Sequence, residues 1–324
     1  MAAISNAFMA LAWSGCNIVT SNKLFGNTYS FFVNTLAAFG VEIRFVDLKN
    51  KDEIDAAIDN NTCALFVEII SNPQMEIADL RMLSSYAHNK GVPIVADTTL
   101  IPFSAFSASD FGVDIDVISS TKYISGGGTS LGGLIIDYGL FDWSNSPKLK
   151  HTKSDSQSAF HVILRKEIHR NMGAYMTPQT AYMQSLGLES MNVRYERQAS
   201  TSMELAKRLQ GVEGIISVCY PGLDNHPDYQ VSKSQFGGYY GAMLIFDLES
   251  KDDCFSFLNK LNLIRRATNL FDNRSLALHP DTTIYVGFTP QQRAEMDVRD
   301  TTIRLSVGLE DVNALYDDIV QALK

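Results

Sequence analysis

Hydrophobic and polar residues alternate in short blocks along the first 140 residues or so, and the blocks predict helices and strands in turn. Residues 63–70 and 93–97 are mainly apolar, which is typical of strands buried on both faces of a sheet. Further strands are predicted at residues 41–46, 114–118 and 131–136, and helices at residues 2–13, 28–39, 52–59 and 79–89. Strands that alternate with helices imply parallel βαβ units, so this part of the chain predicts an α/β fold with a mostly parallel sheet.

A polar stretch interrupts this alternation in the middle of the chain. Residues 141–158 are rich in polar and turn-forming residues and contain a cluster of lysines, which predicts a solvated loop. The lysines are Lys148, Lys150 and Lys153. Helices are expected next at residues 159–170 and 178–209, and the second of them is long enough to link two domains.

In the last third of the chain the pattern differs, because the predicted strands and helices do not alternate regularly. Strands are predicted at residues 215–220, 242–248, 263–267 and 302–307, and helices at residues 252–261 and 311–323. This order favours a smaller α+β domain. We therefore expect a large domain at residues 1–210 and a small C-terminal domain at residues 211–324.

Composition narrows the class of protein. The chain has 324 residues, of which 45% are hydrophobic and 19% charged, and its formal net charge is −9. Because it is acidic and lacks a block of lysines and arginines, neither nucleic acid nor an anionic membrane is expected as a partner. No apolar run reaches the roughly 18 residues of a membrane span. Widely separated cysteines and an uncharged N-terminal stretch indicate a cytoplasmic protein, and the scattered histidines predict no metal site.

Candidate chemistry lies where the predicted strands end, because ligands of open parallel sheets bind beyond the carboxyl ends of the strands. Asp97 ends one strand, Asn72 follows another, and Ser119, Thr121 and Lys122 follow a third. A lysine amine, a carboxylate and several hydroxyls suit a cofactor that bonds to lysine, carries a pyridine nitrogen and bears a phosphate. Each residue taken alone has a simpler alternative: Lys122 could be a surface charge, and Asp97 could cap a helix or a turn.

Several segments carry a resemblance to a known family. They are EIISNP, IVADTT, DIDVISSTKYISGGGTSLGG, HPDYQ and RLSVGLED. In these segments the chain resembles the Cys/Met metabolism family of pyridoxal-phosphate (PLP) enzymes, which includes cystathionine γ-synthase, methionine γ-lyase and O-acetylhomoserine sulfhydrylase. The resemblance covers nearly the whole chain. It implies PLP as cofactor and an aspartate-aminotransferase-like fold, known as fold type I, in the large domain.

The resemblance also implies which residues hold PLP. Lys122 matches the lysine that bonds to the cofactor and later moves protons, and Asp97 matches the partner of the pyridine nitrogen. The other expected cofactor contacts are Ser119 and Thr121 at the phosphate, Asn72 near the phenolic oxygen, Phe25 stacked on the ring, and Met1 before a helix whose first amides face the phosphate. Phe25 stands where the family usually has a tyrosine, so the stacking is kept without the hydroxyl.

The substrate side follows from the same resemblance. Arg304 matches the arginine that binds the α-carboxylate of an amino-acid substrate, and a bidentate guanidinium suits that task. Asn269 stands where lyases tend to have serine. Together with the run GGTSLGGLIIDYGLFDW, it favours the O-acetylhomoserine sulfhydrylase branch. The implied reaction joins O-acetylhomoserine and sulfide, or a thiol, to give homocysteine and acetate in methionine and cysteine biosynthesis.

Other activities stay open at this point. Methionine γ-lyase and cystathionine γ-synthase activities are alternatives within the family. Members of the family carry several tens of residues before the position of Met1, so we expect a chain that is truncated at its N-terminus. An inactive remnant or an assembly subunit is therefore the alternative of another class. The resemblance further implies a homodimer or a homotetramer.

Overall fold

The computed structural model describes residues 1–324 and contains two β-sheets joined by a long helix. The strands of the first sheet are β1 (Asn17–Thr20), β2 (Glu42–Phe45), β3 (Thr62–Glu68), β4 (Ile94–Asp97), β5 (Ile115–Ile118) and β6 (Leu134–Asp137). Their spatial order is β2-β1-β3-β4-β5-β6, and every neighbouring pair is parallel except β5 and β6. The predicted mostly parallel sheet is confirmed.

Strand β6 corrects the expectation of a regular βαβ unit, because it runs antiparallel to β5. A parallel return needs a long crossover, usually a helix. Residues 119–133 between the two strands form turns and irregular loop without a helix, so the chain returns in the opposite direction. Strand β1 was missing from the sequence prediction. It has only four residues, and because Asn17 and Thr20 at its ends are polar, its apolar part is too short to predict a strand.

Helices cover both faces of this sheet. They are α1 (Ala2–Leu11), α2 (Gly26–Ser30), α3 (Lys51–Ala57) and α4 (Leu80–Asn89). A π-helical segment, Phe31–Leu36, continues α2. On one face Phe8 of α1 packs edge-on against Phe66 of β3 and against Phe32. On the other face Leu65 and Val67 of β3 join the larger core. Strand β3 therefore carries apolar side chains on both faces, as its sequence predicted.

The second sheet is smaller and mixed, in the order β7-β8-β11-β10-β9. Its strands are β7 (Ser217–Cys219), β8 (Met243–Asp247), β9 (Arg265–Arg266), β10 (Leu276–Leu278) and β11 (Thr302–Ser306). The helices that accompany it are α8 (Tyr229–Phe236), α9 (Lys251–Lys260), α10 (Pro290–Glu295) and α11 (Val312–Leu323). Strand β10 and helices α8 and α10 were not predicted from the sequence, because each is short and lacks a clear hydrophobic period.

The connection between the sheets begins with α5 (Ala159–Ile163) and α6 (Arg170–Met172), which a π-helical segment joins, and continues with α7 (Pro178–Leu209). Thr177 caps α7 by accepting a hydrogen bond from the backbone N–H of Thr180. The C-terminal half of α7 packs against α11 and the second sheet. The predicted boundary near residue 210 falls just after α7, and the division into domains stays a prediction. None of the helices is both long and apolar enough to cross a membrane.

The predicted solvated loop at residues 141–158 is wrong in two places. Trp143 is almost completely buried. The Nζ atom of Lys148 donates hydrogen bonds to the carbonyl oxygens of Met9 (2.5 Å) and Ala12 (2.6 Å) at the end of α1. The last carbonyls of a helix lack partners within the helix and attract cations, so Lys148 fixes the C-terminus of α1 instead of facing water.

Candidate functional site

The predicted site residues meet at the carboxyl ends of β3, β4 and β5. Glu68 ends β3 and lies opposite Asp97, the last residue of β4, in the register of the two strands. Residues two apart in a strand point to the same face. Because Phe66 and Val95 pack on the α1 side of the sheet, the carboxyl groups of Glu68 and Asp97 lie on that side as well. Lys122 comes four residues after β5.

Lys122 is placed where its amine is easily deprotonated. Its Nζ atom donates a hydrogen bond to Oδ1 of Asn269, at 2.7 Å, across the boundary between the two sheets. Burial and the positive charge of Arg304 lower the pKa of Lys122 to about 8, while the charge of Asp97 opposes the shift. A neutral amine is the nucleophilic form of lysine, so the surroundings favour covalent chemistry at this residue.

Asp97 is connected to the segment that carries Lys122. Its Oδ1 atom accepts a hydrogen bond from the backbone N–H of Thr99 at 2.9 Å, and the Thr99 hydroxyl accepts one from the backbone N–H of Ser119, also at 2.9 Å. Burial raises the pKa of Asp97, whereas the Thr99 donors and the charge of Lys122 lower it. The carboxyl group is therefore sensitive to a positive charge brought beside it, such as a protonated pyridine.

Arg304 reaches the same place from the second sheet. It lies in β11 and is almost fully buried. Its Nη1 donates to Oδ1 of Asn72 (3.1 Å) and its Nη2 to the carbonyl oxygen of Thr268 (3.1 Å), while its Nε has no partner. Burial lowers the pKa of Arg304 to about 10. No acidic side chain pairs with this guanidinium, and a buried cation with an unused donor favours an anionic ligand.

The opposite side of the site combines hydroxyls with the start of α1. The Thr121 hydroxyl accepts a hydrogen bond from the backbone N–H of Gly132 at 3.1 Å. A Cβ atom added to Gly133 would lie only 2.9 Å from Cβ of Ala3, so this strip packs tightly on the first turn of α1. Met1 is the N-cap residue of α1. The first amides of a helix lack partners within the helix and carry a partial positive charge, which suits a phosphate.

Phe25 and Glu68 form one wall of the site. The backbone N–H of Phe25 donates to Oε1 of Glu68 at 2.7 Å. Burial and the neighbouring charge of Asp97 raise the pKa of Glu68 well above its ordinary value. Glu68 was not among the predicted site residues. The available signal was a charged residue inside the otherwise apolar run of residues 63–70.

The residues present fit PLP. Lys122 supplies the amine, Asp97 a buried carboxylate for the pyridine nitrogen, and the first turn of α1 backbone N–H groups for the phosphate. The unpartnered Nε of Arg304 leaves a buried donor for the substrate carboxylate. The structure thus brings together Lys122, Asp97, Asn72, Asn269 and Arg304. The roles of the individual residues stay predictions.

Comparisons with known proteins agree with this arrangement. A family model described as Cys/Met metabolism PLP-dependent enzyme matches residues 1–324. The solved structure of an O-acetylhomoserine sulfhydrylase of Wolinella succinogenes is 45% identical, with a TM-score of 0.90, over 100% of this chain and 89% of that one. The homocysteine synthase of Schizosaccharomyces pombe is 31% identical over 99% of this chain and 79% of its own length.

A further solved structure bears on the cofactor. It is named as an O-acetylhomoserine (thiol)-lyase of Campylobacter jejuni and carries a lysine joined to pyridoxal phosphate. This chain is 29% identical to it, with a TM-score of 0.91, over 99% of this chain and 80% of that one. Both solved structures share the fold of the chain described above, so the expected PLP-enzyme fold is confirmed.

Proposed function

Because the chain belongs to the Cys/Met metabolism family of PLP-dependent enzymes, we propose that it is a sulfhydrylase acting on O-acetylhomoserine. The reaction replaces acetate at the γ-carbon by sulfide and yields homocysteine. One observation carries the proposal: the amine of Lys122 contacts Asn269 between the buried groups Asp97 and Arg304, on the side of the sheet where α1 begins. The sulfhydrylase and homocysteine synthase relatives support it.

PLP, when bound, supplies an electron sink that stabilises negative charge at the substrate α-carbon. In this proposal Lys122 holds the cofactor and its released amine takes up the α-proton of the substrate. A pKa near 8 suits that task, because a general base works best when its pKa lies close to the operating pH. Asp97 would keep the pyridine nitrogen protonated, Phe25 would stack on the ring, and Asn72 would contact the phenolic oxygen.

Different groups would hold the phosphate and the substrate in this proposal. Ser119, Thr121 and the α1 amides next to Met1 bind the phosphate. Arg304 binds the α-carboxylate of O-acetylhomoserine through its unpartnered Nε and a neighbouring N–H group. Oδ1 of Asn269 accepts a hydrogen bond from the Lys122 amine and so keeps the amine beside the substrate.

Methionine γ-lyase and cystathionine γ-synthase activities would need the same residues for the first proton transfer. They differ in what reaches the γ-carbon and in the product. Product analysis therefore separates them: homocysteine and acetate from O-acetylhomoserine with sulfide, cystathionine with cysteine as the thiol, or a 2-oxo acid with ammonia when elimination dominates.

The test begins with the purified chain and added PLP. Covalent attachment should give an absorbance band that borohydride makes permanent, and Lys122→Ala should lose it. Lys150→Ala is the matched control, because Lys150 is an exposed lysine outside the site. We then expect homocysteine and acetate from O-acetylhomoserine and sulfide. A chain that attaches PLP at Lys122 yet forms none of these products would refute the sulfhydrylase proposal, and a chain without attachment would support an inactive remnant or assembly subunit.

Self-association and location belong to the same proposal. We infer a homodimer or homotetramer, because apolar side chains of α7 such as Tyr182, Leu186 and Val193 are exposed in the single chain. We also propose a cytoplasmic location, which the four free thiols support. Light scattering checks the first inference, and cell fractionation checks the second.

A further inference from the structure

Residues 279–298, between β10 and β11 of the second sheet, contact two loops of the first sheet. Three side-chain contacts attach this segment there. Nδ2 of Asn22 donates to the carbonyl oxygen of Glu295 at 2.8 Å, and Nε2 of Gln74 donates to that of Met296 at 2.5 Å. The third contact is made by Tyr285. These loops follow β1 and β3; β3 lies next to β4, the strand that ends in Asp97, and β1 lies on the other side of β3.

Tyr285 makes the most buried of these contacts. Its side chain is fully buried, and its ring packs against Phe288 at a centroid distance of 5.3 Å. The hydroxyl lies between two backbone carbonyl oxygens, 2.9 Å from that of Leu24 and 2.8 Å from that of Asn72. A phenol has one proton, so the two carbonyl oxygens share a single O–H donor.

Each of the two loops carries a residue of the site. Leu24 directly precedes Phe25, whose N–H is bound to Glu68. Asn72 accepts a hydrogen bond from Nη1 of Arg304. The Tyr285 hydroxyl therefore fixes backbone atoms of both loops. One loop carries Phe25, which is expected to stack on the PLP ring. The other carries Asn72, whose side chain orients the guanidinium of Arg304. Gly26 follows Phe25 directly. A Cβ atom added at Gly26 would lie only 3.2 Å from the carbonyl oxygen of Ile284, so the two segments are in close contact there.

We propose that Tyr285 is a positioning residue that holds Phe25 and Asn72, and through Asn72 also Arg304, in their working places. This inference rests on the proposed function for its substrate, and on the structure alone for its geometry. Tyr285 touches neither the Lys122 amine nor the Asp97 carboxyl by any hydrogen bond. Its effect is transmitted by the two loops, so it should alter binding more than the chemical step.

The test compares Tyr285→Phe with Tyr220→Phe in the full chain. Tyr220 is a close match: it is fully buried, and its hydroxyl also lies near two backbone carbonyl oxygens, those of Gly241 (2.8 Å) and Ala199 (3.4 Å). Both substitutions keep the ring and remove one buried hydroxyl. Three quantities are measured for each variant: the melting temperature, the dissociation constant for PLP, and kcat and KM for O-acetylhomoserine.

For Tyr285→Phe we expect the PLP dissociation constant and the KM for O-acetylhomoserine each to rise about tenfold, with a smaller change in kcat. For Tyr220→Phe we expect both constants to stay within about twofold of those of the wild type, at a similar loss of melting temperature. Hydrogen exchange should also become faster at the amides of residues 24–26, 72 and 74–76 in Tyr285→Phe only.

Equal effects of the two substitutions on PLP binding and on exchange would overturn the proposal, because a purely structural hydroxyl acts through stability alone. The readouts also separate this inference from the proposed function. If the wild type fails to convert O-acetylhomoserine, the sulfhydrylase proposal falls, while PLP affinity and hydrogen exchange still decide whether Tyr285 positions the two loops.

Discussion

The behaviour of Lys122 depends on charges that come from both sheets. Burial lowers the pKa of Lys122 most; Arg304, in the second sheet, lowers it further, and Asp97, in the first, opposes the shift by favouring the ammonium form. With a pKa of about 8 in place of 10.5, about one tenth of the amine is neutral at pH 7, against roughly one part in 3,000 for an ordinary lysine. The surroundings thus increase the neutral, nucleophilic fraction of this lysine before any ligand binds.

This difference predicts the pH dependence of PLP attachment. Because only the neutral amine reacts, the rate should rise about tenfold per pH unit below pH 7 and level off above about pH 8. Stopped-flow absorbance on the PLP-free chain between pH 6 and 10 measures it. N-acetyl-lysine methylamide, followed in the same buffers, is the control for the ionisation of PLP itself. A protein profile that keeps rising to pH 10, as the control should, would contradict the depressed pKa.

The sequence predicted some of these residues much better than others. Lys122, Asp97 and Arg304 lie in short segments with a family pattern, and the structure brings them together. Asn269 was expected to contact substrate, and its contact with Lys122 spans 147 positions, which no local pattern encodes. Tyr285 was not predicted at all, since its proposed positioning role depends on carbonyl oxygens 261 and 213 residues away.

At the scale of elements, α7 does more than connect two sheets, because it packs directly on the segment after Lys122. Gly187 of α7 is the point of closest approach: a Cβ atom added there would lie 2.0 Å from the carbonyl oxygen of Ile124. Arg194, one more residue of α7, donates to the carbonyl oxygens of Tyr123 and Gly187, both at 2.7 Å. The helix therefore fixes the backbone on both sides of Ile124.

Gly187→Ala should accordingly destabilise the chain. In an open helix the change would stabilise by about 1 kcal/mol, since alanine is the better helix former. Here the new methyl meets a backbone oxygen that cannot turn away, so we expect a net loss of about 2–4 kcal/mol and slower PLP attachment. Chemical denaturation measures the first effect. The matched control is Gly287→Ala, where an added Cβ has no neighbour within 4 Å, and equal stability of the two variants would contradict the packing argument.

Elements with a long hydrophobic period could be predicted, and short ones could not. The α7 helix was predicted with the bounds Pro178–Leu209 that the structure has, helped by a proline in its first turn and by its length. Strand β10 has three residues and exists because it pairs with β11 and β9. Its stability comes from partners distant in the sequence, so residues 276–278 alone carry no sufficient signal.

At the scale of the whole molecule, the site lies between two sheets that are far apart in the chain. Asp97 and Lys122 come from the first sheet and its loops, whereas Asn269 and Arg304 come from the second. The resemblance to the family predicted that these four residues belong to one site. Composition and hydrophobic period predicted only two separate regions of helices and strands. The relative placement of the halves depends on long-range contacts such as those of the 279–298 segment.

The exposed face of α7 leads to a prediction about assembly. Tyr182, Leu186 and Val193 are spaced so that they lie on one side of the helix, and Val193 is 74% exposed. Apolar side chains aligned in this way favour a protein interface over water. The proposed homodimer or homotetramer would bury them, and each chain has a mass of 35.9 kDa.

Introducing charge on this face should therefore dissociate the assembly. In light scattering we expect the wild type at twice 35.9 kDa or more, and the double variant Leu186→Asp/Val193→Asp at a smaller mass. Two carboxylates forced into an apolar contact would lose hydration without gaining partners, which opposes association. Ile216→Asp is the matched control, because Ile216 is 63% exposed but lies outside α7. A wild type of 35.9 kDa, or a double variant that keeps the wild-type mass, would exclude this face as the interface.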